Sequence, residues 1–201
     1  MASINDLSFS YDGYDFQGEQ EPGRVHVWFT PDGDGLGLYF FPLAPDLPHN
    51  AESADQMRLF YQSMLGDSGA RVVETSIISI DECAAVQVIL SVPQQPSGRT
   101  YVASMTLPFL DFSYVLKVQC TEHGTTGVKE TVLMDRRLAK GNVAISDGKV
   151  DISDWNPDLE EYDIEFPNHP VARARRVLAH LRQSVTLTNI VKQSPRFPLP
   201  E

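Results

Sequence analysis

The chain has 201 residues and a formal net charge of −11. Its apolar fraction of 42% is enough to fill a core, which excludes an intrinsically disordered chain. Nucleic acids and anionic membrane surfaces select basic patches, so the charge argues against both as partners. No apolar run reaches the roughly 18–20 residues that a membrane span needs. These properties indicate an acidic globular domain.

The N-terminus and the cysteines bear on the compartment. The first residues lack the basic start and apolar segment of a secretory signal. The two cysteines, Cys83 and Cys120, lie in apolar runs typical of strands, and we expect reduced, buried thiols. A cross-strand disulfide between them stays open. The sequence therefore predicts a cytoplasmic protein.

The N-terminal part of the chain predicts a β-hairpin. Residues 1–23 are polar and acidic and form either an arm or an edge strand. Residues 24–30 alternate apolar and polar positions and predict a strand. The sequence PDGDG at 31–35 is typical of a tight turn, and 36–43 is the return strand.

The middle of the chain predicts one helix and four strands. We expect a helix over 51–65, with Asn50 as its cap and Gly66 at its end. The four strands that follow are predicted at 70–80, 83–92, 99–107 and 111–121. The connections between them are short, which favours antiparallel pairing.

The C-terminal part predicts two more helices and a tail. The helices cover 125–139 and 169–185, with Asn168 as the cap of the second. An acidic loop spans 151–168, after a hairpin centred on Asp147-Gly148. The Pro-rich residues 186–201 are expected to be an extended tail. We therefore predict an N-terminal arm, one α+β domain over 24–185, and a tail.

The fold class predicted from this order is α+β, an antiparallel β-sheet flanked by helices in an α/β/α sandwich. The order resembles the PsbP/Ran-release-factor fold group. The resemblance depends on the hairpin RVHVWFT–LGLYFF, the helix AESADQMRLFYQSML and the strands through DFSYVLKVQCT. It implies a binding subunit without catalysis, as in a photosystem accessory protein, a small-GTPase partner and bacterial proteins of unknown role. It carries over no functional residue and does not explain 151–185.

The sequence contains no signature of catalysis or of a cofactor. Nucleotide-binding, serine-hydrolase and zinc-protease motifs are missing, so we predict no enzyme, no cofactor and no metal. Cys120 and His123 form a CxxH unit, but no second pair completes a zinc site, and a strand thiol beside a surface histidine is expected. Asp32 and Asp34 resemble the opening of a calcium loop, but no acids follow, which favours a turn.

The negative charge is concentrated in the first third of the chain. Residues 1–67 hold 11 acids against two bases. Acidic surfaces select and steer basic partners, and aromatic side chains in the same segment can anchor them. The alternative is charge that serves solubility alone. The predicted partner-binding residues are Asp12, Tyr14, Asp15, Glu19, Glu21, Asp32 and Asp34.

An acidic loop precedes a basic helix. The loop 151–168 has seven acids, and the helix after it carries Arg173, Arg175, Arg176 and Arg182. We expect aromatic packing and ion pairs between the two. The alternative is an anion-binding face on the helix, made of His169, Arg173, Arg176 and His180.

Three functions follow from these patterns. The first is a non-enzymatic intracellular protein-interaction domain with a basic protein partner, such as an inhibitor or immunity protein that binds a toxin. The second is a small anionic-ligand-binding module or an enzyme that uses the Arg/His face of helix 169–185. The third is a structural accessory subunit that assembles as a homodimer or larger oligomer.

Overall fold

A computed structural model describes residues 2–10, 12–48, 53–141, 144–146, 149–151 and 155–199. At 16, 17, 19, 20, 144–146 and 149–151 it describes the backbone alone. Asn50, the predicted cap, and the Asp147-Gly148 turn lie outside these ranges. None of the helices within these ranges is long and apolar enough to cross a membrane.

A seven-stranded antiparallel sheet forms the centre of the fold. Its spatial order is β2-β3-β4-β8-β7-β6-β5, and every neighbouring pair is antiparallel. Short connections join β2 to β4 and β5 to β8 as two meanders, and the long segment 42–70 carries the chain to the opposite edge, so that β4 pairs with β8. The strands are β2 (Asp15–Glu21), β3 (Val25–Phe29), β4 (Gly35–Phe41), β5 (Arg71–Ile80), β6 (Cys83–Pro93), β7 (Arg99–Pro108) and β8 (Ser113–Thr121).

Two smaller strand pairs lie outside the main sheet. The strand β1 (Leu7–Ser8) pairs with β11 (Thr186–Leu187), which ties the N-terminus to the C-terminal segment. The strands β9 (Ala144–Ser146) and β10 (Lys149–Asp151) pair antiparallel on either side of the undescribed residues 147 and 148.

The described residues form four α-helices beside the strands. They are α1 (Ala54–Leu65), α2 (Val128–Ala139), α3 (Pro170–Ser184) and α4 (Asn189–Lys192), and short 3-10 helices cover Ile4–Asp6 and Glu160–Tyr162. Two predicted caps were wrong. Ser53 caps α1 by accepting from the Gln56 N–H, and His169, not Asn168, caps α3. Pro170 occupies the first position of α3 and leaves its neighbour free to cap.

The main core lies between α3 and one face of the sheet. Tyr101, Ala103, Met105 and Leu107, predicted to share one face of a strand, are all fully buried there. The apolar stripe of α3 packs on them because residues three and four apart lie on one face of a helix. From this helix the core receives Val171, Ala174, Leu178, Leu181 and Val185.

A second cluster covers one end of the opposite face of the sheet. Met57 of α1 and Phe197 near the C-terminus pack with Val86 of β6 in this cluster. The segment 186–199 is therefore not the extended tail that its prolines indicated. It contains β11 and α4, and its Phe197 ring is 3% exposed. Ile4 and Leu7 are also buried, so the core extends beyond the predicted limits of 24–185.

Candidate functional site

One residue of the predicted acidic surface, Asp34, is buried in an ion pair with Arg173. Asp34 is buried, and its two carboxylate oxygens accept from the Arg173 guanidinium at 2.7 and 2.8 Å. Thr30 and Gly33 close the tight turn that presents it, as the sequence predicted. Arg173 also donates to the Thr121 carbonyl. This pair removes Asp34 from the predicted partner surface and Arg173 from the predicted anion site.

The other predicted residues of the first third lie in three environments. Asp15, Glu21 and Asp32 are exposed, and Asp12 is exposed beside Arg176 and His180 of α3. Tyr14 is half-buried against the core, and burial raises the pKa of its hydroxyl. The side chain of Glu19 lies outside the described residues.

The Arg/His face of α3 is occupied by contacts within the chain. The side chain of His169 is buried at the start of the helix. Arg176 is exposed and donates to the Pro167 carbonyl, and the ring of His180 contacts the Ser10 carbonyl. These contacts and the Arg173–Asp34 pair leave little of this face free for an anion.

Ion pairs tie the acidic loop to the rest of the chain. Arg175 of α3 bonds both oxygens of Asp163 at 2.9 Å and Glu74 of β5 at 3.1 Å. Arg136 of α2 pairs with Glu165 at 2.6 Å. The predicted ion pairs between the loop and α3 are present in the described part of the loop. Arginines of α2 and β5 also pair with acids of the loop.

A buried carboxylate, Asp158, connects the loop to the sheet. It accepts from the Tyr101 hydroxyl at 2.8 Å and from Arg71 at 2.5 Å. The Lys129 ammonium lies 4.0 Å from it, and burial lowers the pKa of Lys129. A buried charge is tolerated only when other groups pair with it, so these contacts fix the position of the loop.

A second group at this end of the molecule has the composition of a metal site. Glu122 follows β8, Glu130 lies in the first turn of α2, and His169 precedes α3; one ligand atom of each lies within 4.8 Å of the others. Burial lowers the pKa of His169 to about 4 and raises the pKa of Glu130. The sequence did not predict this group, because its members come from three elements without a local motif.

The CxxH unit forms no reactive pair. Cys120 is fully buried and His123 is exposed. Burial raises the pKa of the Cys120 thiol to about 12, so it stays protonated near neutral pH. Cys83 and Cys120 are both free thiols, as expected.

An apolar area remains on the face of the sheet opposite α3. Partners on adjacent strands share a face, so Val25, Tyr39 and Val115 form a row across β3, β4 and β8. Phe29 and Phe41 lie on the same face by strand alternation and are 39% and 40% exposed. We call these five residues the open face.

Two glycines allow aromatic rings to lie against β4. A Cβ at Gly37 would meet the Tyr39 ring at 2.5 Å, and one at Gly35 would meet the Phe29 ring at 3.2 Å. The Tyr39 and Phe41 rings are stacked, with centroids 6.3 Å apart. The glycines therefore give the open face a broad aromatic surface.

Acids lie beside the open face, on β2 and in the turn between β3 and β4. Asp15 pairs with Phe29 and Glu21 with Val25 across β2 and β3, which places both on this side of the sheet, and Asp32 lies in the adjoining turn. Lys117 of β8 is a cation on the same face. We call Asp15, Glu21 and Asp32 the acidic rim.

Comparisons with known proteins identify the fold. No family model matches the chain, and no curated protein matches it. The yeast Saccharomyces cerevisiae Ran-binding protein Mog1p aligns with 92% of each chain at a TM-score of 0.50 and 5% identity.

Two other solved structures align less closely. Cyanobacterial PsbP from Synechocystis covers 68% of this chain and 85% of its own, with a TM-score of 0.40 and 10% identity. A Bacteroides thetaiotaomicron protein covers 62% of this chain at 10% identity and a TM-score of 0.38, and the match spans 41% of its length. The alignment with Mog1p confirms the α+β fold class and the PsbP/Ran-release-factor-like fold predicted from the order of elements.

Proposed function

We propose that this protein is a non-enzymatic protein-interaction domain whose open face binds a partner that carries basic groups. The observation that carries the proposal is an exposed apolar and aromatic area bordered by acids on one face of the sheet. In its specific form, the protein is an inhibitor or immunity protein that neutralises a basic toxin in the cytoplasm. Mog1p is described as a Ran-binding protein, so a protein partner has precedent on this fold.

The aromatic side chains supply the anchors. Phe29, Tyr39 and Phe41 are large, and their neighbours in the sheet restrict their orientations. Aromatic residues at the centre of an interface contribute much of its binding energy, since they bury a large area at low entropic cost. An area of this kind on a folded domain is typical of a protein-binding surface.

The acidic rim determines the chemistry of the partner. Asp15, Glu21 and Asp32 are exposed, so they attract a cationic surface and raise the rate of association at low salt. Two copies of this chain that met at this face would bring the same acids together. The rim therefore favours a basic partner over the homodimer, and a monomeric mass in solution at micromolar concentration would support this choice.

The alternative of an anionic ligand on α3 has less support. Its most central cation, Arg173, already makes a two-point ion pair with Asp34, and His169 is buried as a helix cap. An anion there would have to displace these contacts.

The test is affinity purification from the native host with the wild type and two matched triple variants. The first neutralises the acidic rim (Asp15→Asn, Glu21→Gln, Asp32→Asn). The second makes the same charge change at exposed acids elsewhere (Asp67→Asn, Asp135→Asn, Glu160→Gln). We expect the wild type and the second variant to recover one basic protein and the first to lose it. Recovery of no protein by the wild type, or equal recovery by both variants, would overturn the proposal.

A further inference from the structure

We propose that Glu122, Glu130 and His169 bind a divalent first-row transition-metal ion, with Zn²⁺ as the representative. The three residues come from the end of β8, the start of α2 and the cap of α3. Each offers one ligand atom, and these atoms lie within 4.8 Å of one another. One imidazole nitrogen with two carboxylate oxygens suits zinc or manganese, whereas calcium and magnesium prefer oxygen ligands alone.

Buried atoms without partners support the site independently. The Nε2 atom of His169 and the Oε2 atom of Glu130 are buried, and neither has a hydrogen-bond partner among the described residues. The His169 side chain is 7% exposed, and its Nε2 is directed at Glu130, 3.8 Å from the Oε1 atom. Most buried polar atoms are paired, so an unpaired nitrogen that faces an incompletely paired carboxylate indicates an absent ligand. A metal ion would satisfy both.

Glu122 contributes an oriented carboxylate. Its Oε1 accepts from the Gly127 N–H at 2.6 Å and its Oε2 from the Arg99 N–H at 3.1 Å. These bonds fix the carboxylate in place while each oxygen keeps a second lone pair. Hydrogen bonds of this kind hold metal ligands in position in known sites.

Nearby cations limit the site without blocking it. Lys129 is buried, and its ammonium lies 4.0 Å from the Asp158 carboxylate without a hydrogen-bond partner among the described residues. Arg173 is paired with Asp34, and Arg175 with Asp163 and Glu74. Because the two arginines have acidic partners of their own and Lys129 lies beside Asp158, Glu122 and Glu130 remain as the carboxylates that a bound cation would neutralise.

Metal binding would change the tautomer of His169. In the structure the Nδ1 atom of His169 accepts from the Val171 N–H at 3.4 Å, a long bond that leaves the proton on Nε2. A metal on Nε2 requires the proton to move to Nδ1, so metal binding competes with this cap. A cavity of about 470 Å³, lined by Glu122, Lys129 and His169, gives an ion access to the site and room for water ligands.

The experiment titrates Zn²⁺ into the intact protein by calorimetry and follows Co²⁺ by its visible absorption. Variants are Glu130→Gln, His169→Asn, which keeps a capping side chain, and the control His123→Ala at an exposed histidine on the rim of the same cavity. We expect one equivalent of Zn²⁺ to bind the wild type and the control. We expect at least a tenfold loss of Zn²⁺ affinity in the first two variants. Substitution of residues that only orient metal ligands already lowers metal affinity about 10–100-fold.

Circular dichroism checks that each variant is folded. If His169→Asn does not fold, the affinity of Glu130→Gln for Zn²⁺ tests the site. The proposal is overturned if the wild type binds no Zn²⁺, if Glu130→Gln binds it with undiminished affinity, or if His123→Ala abolishes binding.

Discussion

Asp34 in the turn between β3 and β4 accepts two hydrogen bonds from Arg173 of α3, a residue 139 positions later in the chain. One residue was expected to face a basic partner and the other an anion. Their pairing means that both charges serve the fold, since the bond fixes the first hairpin against the helix that covers the sheet.

Removal of Arg173 should destabilise the protein. Arg173→Gln leaves the buried carboxylate of Asp34 without its partner, and breaking a buried pair in this way costs about 3 kcal/mol or more. Urea unfolding of the variant measures the loss. Arg182→Gln, an exposed arginine on the same helix, is the control and should change the free energy of unfolding by less than about 0.5 kcal/mol. Equal effects of the two substitutions would contradict the role of the pair.

Substitution at Asp158 should be among the most damaging single changes in the acidic loop. Asp158→Asn removes the charge that Arg71 and Lys129 share, with an expected cost of about 3–5 kcal/mol. Tyr101→Phe deletes one hydrogen bond to the same carboxylate and should cost about 1–2 kcal/mol. Both are measured by urea unfolding, with the exposed Asp67→Asn as the control. A loss below about 1 kcal/mol for Asp158→Asn would mean that the loop is not fixed by this contact.

His169 should make stability depend on pH. Burial lowers its pKa from 6.5 to about 4 in the folded state, so below pH 6.5 the unfolded chain takes up a proton that the folded protein does not. The contribution of the neutral His169 side chain to the free energy of unfolding is complete above pH 6.5. It falls by up to about 3 kcal/mol as the pH falls towards 4.

The pH measurement compares the free energy of unfolding of the wild type and His169→Asn at pH 7, 6, 5 and 4. Asparagine is also a good helix cap, so the variant removes the titration and preserves the cap. The difference between the two proteins should narrow or reverse as the pH falls. A constant difference over the whole range would show that His169 titrates alike in both states.

The C-terminal segment should contribute to stability through Phe197. Its ring is buried with Met57 and Val86, so Phe197→Ala should cost about 3–4 kcal/mol by lost burial and the cavity left behind. Thermal unfolding checks this, with Ile190→Ala at an exposed position as the control. A loss below about 1 kcal/mol would mean that the segment is the loose tail that its prolines indicated.

Local patterns predicted most of the secondary structure. The alternation in Tyr101–Leu107 and the stripe from Val171 to Val185 identified the buried faces of β7 and α3, because burial imposes these periods on strands and helices. The open face lies within the strands so predicted. Its exposure could not be predicted, because it depends on where α1 and Phe197 pack.

Contacts between residues far apart in the chain could not be predicted from local sequence patterns. The Asp34–Arg173 pair joins residues without a local relationship, and the group of Glu122, Glu130 and His169 is assembled from three elements. The tail was mispredicted because its prolines exclude regular structure locally but do not prevent Phe197 from packing.

The most direct test of the proposed function places a photo-cross-linking phenylalanine analogue at Phe41 and, in a second protein, at the exposed Ile190 of α4. Both are irradiated in cells of the native host, and cross-linked proteins are identified by mass spectrometry. We expect position 41 to cross-link one protein with an excess of lysine and arginine, and position 190 to give no such product. Cross-linking of that protein at 190 alone, or of no protein at 41, would contradict the open face as the binding surface.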